Sequence, residues 1–203
     1  VRSSNAGHAL FSGIASPGRA ARVAATLLDP SSFSGWGIRT IAEGEARYNP
    51  MSYHNGSIWP HDNALIALGL ARYGHKNEVA KVFEGLFAAA SYDDLGRLPE
   101  LFCGFDRRPR RGPTAYPVAC SPQAWAAAAP FALLASSTGL ELDHASDRFL
   151  FNEPKLPAFL DDLLLPELEM ANSRIRFRLQ RSGNDVTIAV VDREGPAKLV
   201  IYK

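Results

Sequence analysis

Residues 48–74, YNPMSYHNGSIWPHDNALIALGLARYG, decide how the rest of the chain is read. Their first half gathers Tyr48, Tyr53, His54, Asn55, Trp59, His61 and Asp62, more rings and hydrogen-bonding groups than a mere connection needs. Their second half is helical: Pro60 suits a first turn, Ala64, Leu65, Leu68 and Ala71 follow at helical spacing, and Gly74 ends the run. Aromatic faces stack on the C–H faces of a pyranose while amide, imidazole and carboxylate groups take its hydroxyls, so this composition suits a sugar pocket. A loop that plugs a core with the same rings is the competing reading.

Working outward, residues 5–15 read as a helix closed by Pro17, and 17–28 as a second helix with Ala20, Val23, Ala24 and Leu27 on one stripe. Residues 29–57 form a loop longer than a structureless connection in a compact domain usually is. After the helix at 59–73, a short Gly-His link leads to a helix at 76–90 with Val79, Val82, Phe83, Leu86 and Phe87 inward. A second long loop spans 92–121, and a helix follows, capped by Ser121, opened by Pro122 and kinked or interrupted at Pro130.

The last third changes character. A short apolar stretch at 156–164 is bracketed by Pro157 and Pro166. From 173 the pattern has period two, with Arg174, Arg176 and Arg178 opposing Ile175, Phe177 and Leu179, and Val186, Ile188 and Val190 repeating it after SGND. With KLVIY as a third strand these predict a small antiparallel meander. The fold class expected is mainly α, helical hairpins over 1–165 with a β appendage over 166–203. Short links would gather at one end of the helices and the long, chemically loaded loops at the other.

Composition narrows the function classes. The chain has 203 residues, 46% hydrophobic and 21% charged, with a net charge of +1, which describes a globular protein without a nucleic-acid face. The cluster Arg107, Arg108, Arg110 and Arg111 lies between prolines and reads as solvated loop charge. Cys103 and Cys120 form neither a disulfide scaffold nor a metal-ligand spacing, so a reduced, cytoplasmic setting and no metal are expected. No apolar run approaches a membrane helix, and no membrane partner is expected. The chain enters mid-pattern, without Met or a leader, and is expected to be a piece of something longer.

Hydrolysing a glycosidic bond takes a proton donor for the leaving oxygen and a second carboxylate that attacks the sugar or activates water. Loop carboxylates are Glu43, Glu45, Asp62, Asp93, Asp94 and Glu100. Glu100 stands out: it follows Pro99 and sits among Leu98, Leu101 and Phe102, surroundings expected to desolvate it and raise its pKa. Asp62 suits either first-turn charge on a helix or a hydroxyl contact. His54 and His61 do not match the spacing of a zinc helix, Ser57 lacks a nucleophile elbow, and Cys103 lacks a polar activator in sequence.

Taken in order, GHALFSGI, FSGWGIRT, YNPMSYHNGSIWPHDNALIALGLARYG, LPELFCGF and YPVACSPQAWA resemble the C-terminal half of the glucosidase domain of glycogen debranching enzymes, the amylo-α-1,6-glucosidase family, over about residues 5–140. The resemblance implies the C-terminal part of an (α/α)6 toroid, no cofactor, and hydrolysis of an α-linked glucose with inversion by a Glu base and an Asp acid. The base falls on Glu100, and the acid on a segment upstream of residue 1. Trp36 and Arg39 become pocket-edge residues; Tyr53, His54, Asn55 and Trp59 become walls of the glucose subsite; Gln123 and Trp125 become supports beneath the base, while His61 and Asp62 stay substrate-binding candidates on the composition of their loop alone. The pattern departs at RRPRRG after Glu100 and at AAAAP after QAW. Partners implied are an α-glucan or oligosaccharide and the rest of the same polypeptide, with self-association through the apolar faces of half a toroid. Two alternatives stay open: hydrolysis of another α-glycoside such as mannosylglycerate, or a carbohydrate-binding half-domain without catalysis.

Overall fold

Glycines set how the first helices meet. Helix α1 (Asn5–Phe11) lies so close to the helix at Pro60–Arg72 that a Cβ on Gly69 would stand 2.5 Å from Phe11 N, and one on Gly7 2.5 Å from Ile66 Cγ1. Helix α2 (Pro17–Leu27) buries Ala20, Ala24 and Leu27, and α3 is the Pro60–Arg72 helix. Residues 73–75 turn the chain into α4 (Lys76–Ala90), which buries Val79, Val82, Phe83, Leu86 and Ala89. Leu10, Ile38, Ile58, Ile66, Leu70, Val82, Leu86 and Leu98 share one core, which therefore draws on both long loops as well as the helices. α1 ends at Phe11, earlier than the apolar spacing predicts, because Gly13 adopts φ +76° there.

The computed structural model describes residues 1–203, which divide into two units, Val1–Leu134 and Ala135–Lys203. In the first unit the two long loops are stitched together by single antiparallel bridges, Arg39 to Ile58, Ile58 to Phe102 and Phe102 to Ala115. At their crossing a Cβ on Gly104 would stand 1.7 Å from Gly56 O, so only glycine fits, and Gly56 itself holds φ +149°. α5 (Ala124–Thr138) starts three residues after Ser121, because the preceding backbone is committed elsewhere: Glu100 N donates to Cys120 O and Gln123 N to Leu98 O. The helix runs through Pro130 without interruption.

The second unit carries two three-stranded sheets. β1 (Leu140–Asp143), β2 (Arg148–Asn152) and a last strand at Lys198–Tyr202 form one; β3 (Asp162–Met170), β4 (Ser173–Ser182) and β5 (Asp185–Glu194) form an antiparallel meander, and β6 is the Lys198–Tyr202 strand. β4 buries Ser173, Ile175, Phe177 and Leu179 and exposes Arg174, Arg176 and Arg178, the alternation read from sequence. Phe177 meets Phe149 and Phe151 of β2 at ring-centroid distances of 5.5 and 5.3 Å, so the two sheets share a core.

With five α-helices and six strands the chain is an α+β fold, which corrects the mainly α, toroid-derived expectation. The stretch LELDHASDRFLFN supplies two strands too short for a clear period, paired through Leu140–Phe151 to Asp143–Arg148. β3 accepts Pro166 because its register with β4 shifts between Leu165 and Leu168, a bulge that needs no ladder donor there. KLVIY does not join the meander: it pairs in parallel with β2, fifty residues upstream by its Arg148–Lys198 register.

Candidate active site

The loop before α3 is fixed by its own hydrogen bonds before any ligand is considered. Ser57 Oγ donates to Tyr53 O at 2.6 Å and accepts from Trp59 Nε1 at 2.9 Å; Asn49 N donates to Asn55 O and Gly56 N to Thr40 Oγ1. Asn63, fully buried, clamps this end of α3 to the first long loop, accepting from Ile38 N at 2.6 Å and donating to Ile38 O and Trp59 O. The rings therefore hold a set geometry. Tyr53 stands edge-on to His54 and Trp59 at 4.6 and 4.8 Å, His54 and Trp59 are parallel at 5.6 Å, and Trp125 stacks on His61 at 3.6 Å.

His54, Trp59, His61 and Trp125 bound a cleft of about 560 Å³, lined also by His8, Thr40, Asn55 and Asp62 among others. The volume suits one or two sugar rings. His8 Nε2 meets Asp62 Oδ1 at 2.6 Å, while Asp62 Oδ2 and His61 Nδ1 are buried without a protein partner. Buried polar atoms are nearly always paired, so these two are open to the polar groups of a ligand in the cleft. Burial pulls the His61 pKa below its ordinary value despite Asp62 and Glu100 nearby, which keeps the ring neutral at pH 7.

Glu100 lies behind this wall. Its Oε1 accepts from Tyr53 Oη at 2.6 Å, its Oε2 from Cys120 N at 3.3 Å, and the Gln123 side chain adds a further hydrogen bond. Gln123 in turn accepts from Trp125 Nε1, so Tyr53, His61 and the Gln123–Trp125 pair connect the carboxylate to the cleft. The expected rise in the Glu100 pKa is corrected: the residue is half-buried, and the Tyr53 hydroxyl, ahead of the opposing desolvation, holds its carboxyl below the usual range. The same bond pushes the Tyr53 phenol up to about 12. Three donors leave room on a carboxylate that offers about four acceptor sites. An ionised carboxylate with a free site is a proton acceptor.

Tyr53, His54, Asn55, Trp59, His61, Asp62, Gln123 and Trp125 thus come together with Glu100. Trp36 and Arg39 do not. Arg39 is only 1% exposed, and its guanidinium donates to the carbonyls of Gly104, Pro30 and Ser31 and pairs with Asp106 at 2.5 Å, spending its donors on holding the two loops together. Trp36 is 3% exposed, edge-on to Tyr92 at 6.1 Å and under the Arg107 guanidinium at 4.8 Å. Two residues without an assigned role in the sequence enter the site. His8 reaches Asp62 because α1 packs on α3, a contact foreshadowed only by Gly7 and Gly69. Tyr116, the first residue of the YPVACSPQAWA motif, tilts against Tyr53 at 5.6 Å.

The family model described as the mannosylglycerate hydrolase MGH1-like glycoside hydrolase domain matches residues 1–114, which include Glu100 and every cleft residue named above except Trp125. No curated protein matches the chain.

Proposed function

The chain belongs to the MGH1-like glycoside hydrolase family, and we propose that it hydrolyses an α-linked hexose with inversion, Glu100 drawing the proton from the attacking water. The observation that carries this reading is the Tyr53–Glu100 bond, which keeps the carboxylate ionised and holds it on a ring that packs against His54 and Trp59 of the cleft wall. A lowered pKa suits a base that must be charged when water arrives. Trp59, His61 and Trp125 give the sugar its apolar faces, and Asn55, Asp62 and His61 read its hydroxyls. The proton donor is proposed to be a carboxyl from sequence upstream of Val1, about 6.5–9.5 Å from the base, as inversion requires.

Two substrates follow from two observations. The loop motifs favour an α-1,6-linked glucose, and the family match favours mannosylglycerate. Offering isomaltose and mannosylglycerate to protein that includes the upstream segment, with the product followed by proton NMR, separates them. The β-anomer of glucose or of mannose as first product supports inversion and identifies the sugar. An α-anomer, or sugar binding without turnover of either compound, overturns the proposal in favour of a retaining enzyme or a binding module.

A further inference from the structure

Away from the cleft, the connection that carries Glu100 continues into RRPRRG and curls over Trp36 and Tyr92. Arg107, Arg108, Pro109, Arg110 and Arg111 close a hollow of about 300 Å³ against these two rings, and it shares no lining residue with the sugar cleft. Its shape is fixed from both ends. Arg107 N donates to Ser34 O, Arg111 N donates to Arg108 O across a turn, and a Cβ on Gly112 would stand 2.8 Å from the Tyr92 ring. Arg107 lies over Trp36, while Tyr92 is half-exposed.

None of the four guanidinium groups forms an ion pair, so each keeps its donors for another partner. The carboxylate next in sequence, Asp106, is taken by Arg39. Four like charges on the lining of one small hollow raise the positive potential there and favour an anion. Guanidinium forks match the oxygens of a phosphate in pairs, and a ring beside them offers a face to an attached carbon skeleton. The volume admits one small molecule and not a folded polyanion.

We propose that this hollow is a second binding site, for a small molecule carrying a phosphate group. The site is independent of the glycosidase reading. Calorimetric titration of the chain with inorganic phosphate, pyrophosphate and a hexose 6-phosphate, with glucose as the neutral control, tests it. Saturable one-to-one binding of a phosphate compound is expected, weakening at least about tenfold in R108Q/R110Q/R111Q. Tighter binding of the hexose phosphate than of inorganic phosphate identifies an ester as the ligand; the reverse identifies the free anion. R108K/R110K/R111K keeps the charge and loses the fork, so it should bind more weakly than the parent, and it decides the matter alone should the glutamine variant fail to fold. No saturable binding, undiminished affinity in either variant, or binding confined to long polyanions such as heparin or single-stranded DNA overturns the proposal.

Discussion

Tyr53 Oη donates a 2.6 Å hydrogen bond to Glu100 Oε1 across 47 residues of sequence. That bond is the largest cause of the low Glu100 pKa. A carboxyl depressed in the folded state adds stability above its unfolded pKa, and the gain is lost as pH falls through the folded value. Tyr53→Phe removes the donor, so the Glu100 pKa should rise and the acid limb of activity should move to higher pH. Carbon-13 NMR titration of the glutamate carboxyls reads the shift, and an unchanged or lower Glu100 value contradicts it.

His8 is the only partner of the Asp62 carboxylate, whose other oxygen is already buried without one. His8→Ala leaves a charged group 16% exposed and unpaired on both oxygens. A loss of about 1–3 kcal/mol in urea unfolding is expected. A change below about 0.5 kcal/mol, the scale of an ordinary surface substitution, shows instead that water replaces the imidazole at no cost.

Gly104 and Gly18 make a paired test of the loop crossing. An added Cβ at Gly104 would stand 1.7 Å from Gly56 O, which is backbone and cannot swing away, whereas one at Gly18 in α2 meets nothing within 4 Å. Gly104→Ala should cost about 3 kcal/mol or more, and Gly18→Ala should be neutral or stabilise by up to about 1 kcal/mol. Thermal melts of both variants check this, and equal melting temperatures contradict the crossing.

Trp125 is 57% exposed although its ring stacks on His61. An exposed indole contributes little to folding, so Trp125→Ala should keep the melting temperature within a few degrees and weaken sugar binding about tenfold, roughly 1.4 kcal/mol. Titration followed by the remaining tryptophan fluorescence measures it. Undiminished affinity removes Trp125 from the sugar site.

Local chemistry wrote the helices into the sequence. Pro60 and Gly74 bound α3, and the apolar spacing of α4 places Val79, Val82 and Leu86 in the core. The alternation of β4 is equally plain. What stayed hidden is non-local: the parallel pairing of β6 with β2, the short β1 and β2, and β3 running through Pro166 on a bulge. The site divides the same way. Aromatic density marks residues 53–61 as a wall, but whether Arg39 faces a ligand or a set of carbonyls depends on where the second loop brings Gly104 and Asp106. The neighbours of Glu100 in sequence, Leu98, Leu101 and Phe102, turn into the core, while its carboxylate meets Tyr53 and Gln123, so the sign of its pKa shift follows from tertiary partners alone.

The turnover number of Glu100→Gln, measured on the full-length protein and on whichever substrate the wild type cleaves, tests the assignment of the base most directly. Gln keeps the shape and accepts from Tyr53 through its carbonyl but cannot take a proton from water, so kcat should fall about 10²–10⁴-fold with little change in sugar affinity. A kcat within a few fold of wild type means that another group activates the water, and the assignment of Glu100 fails.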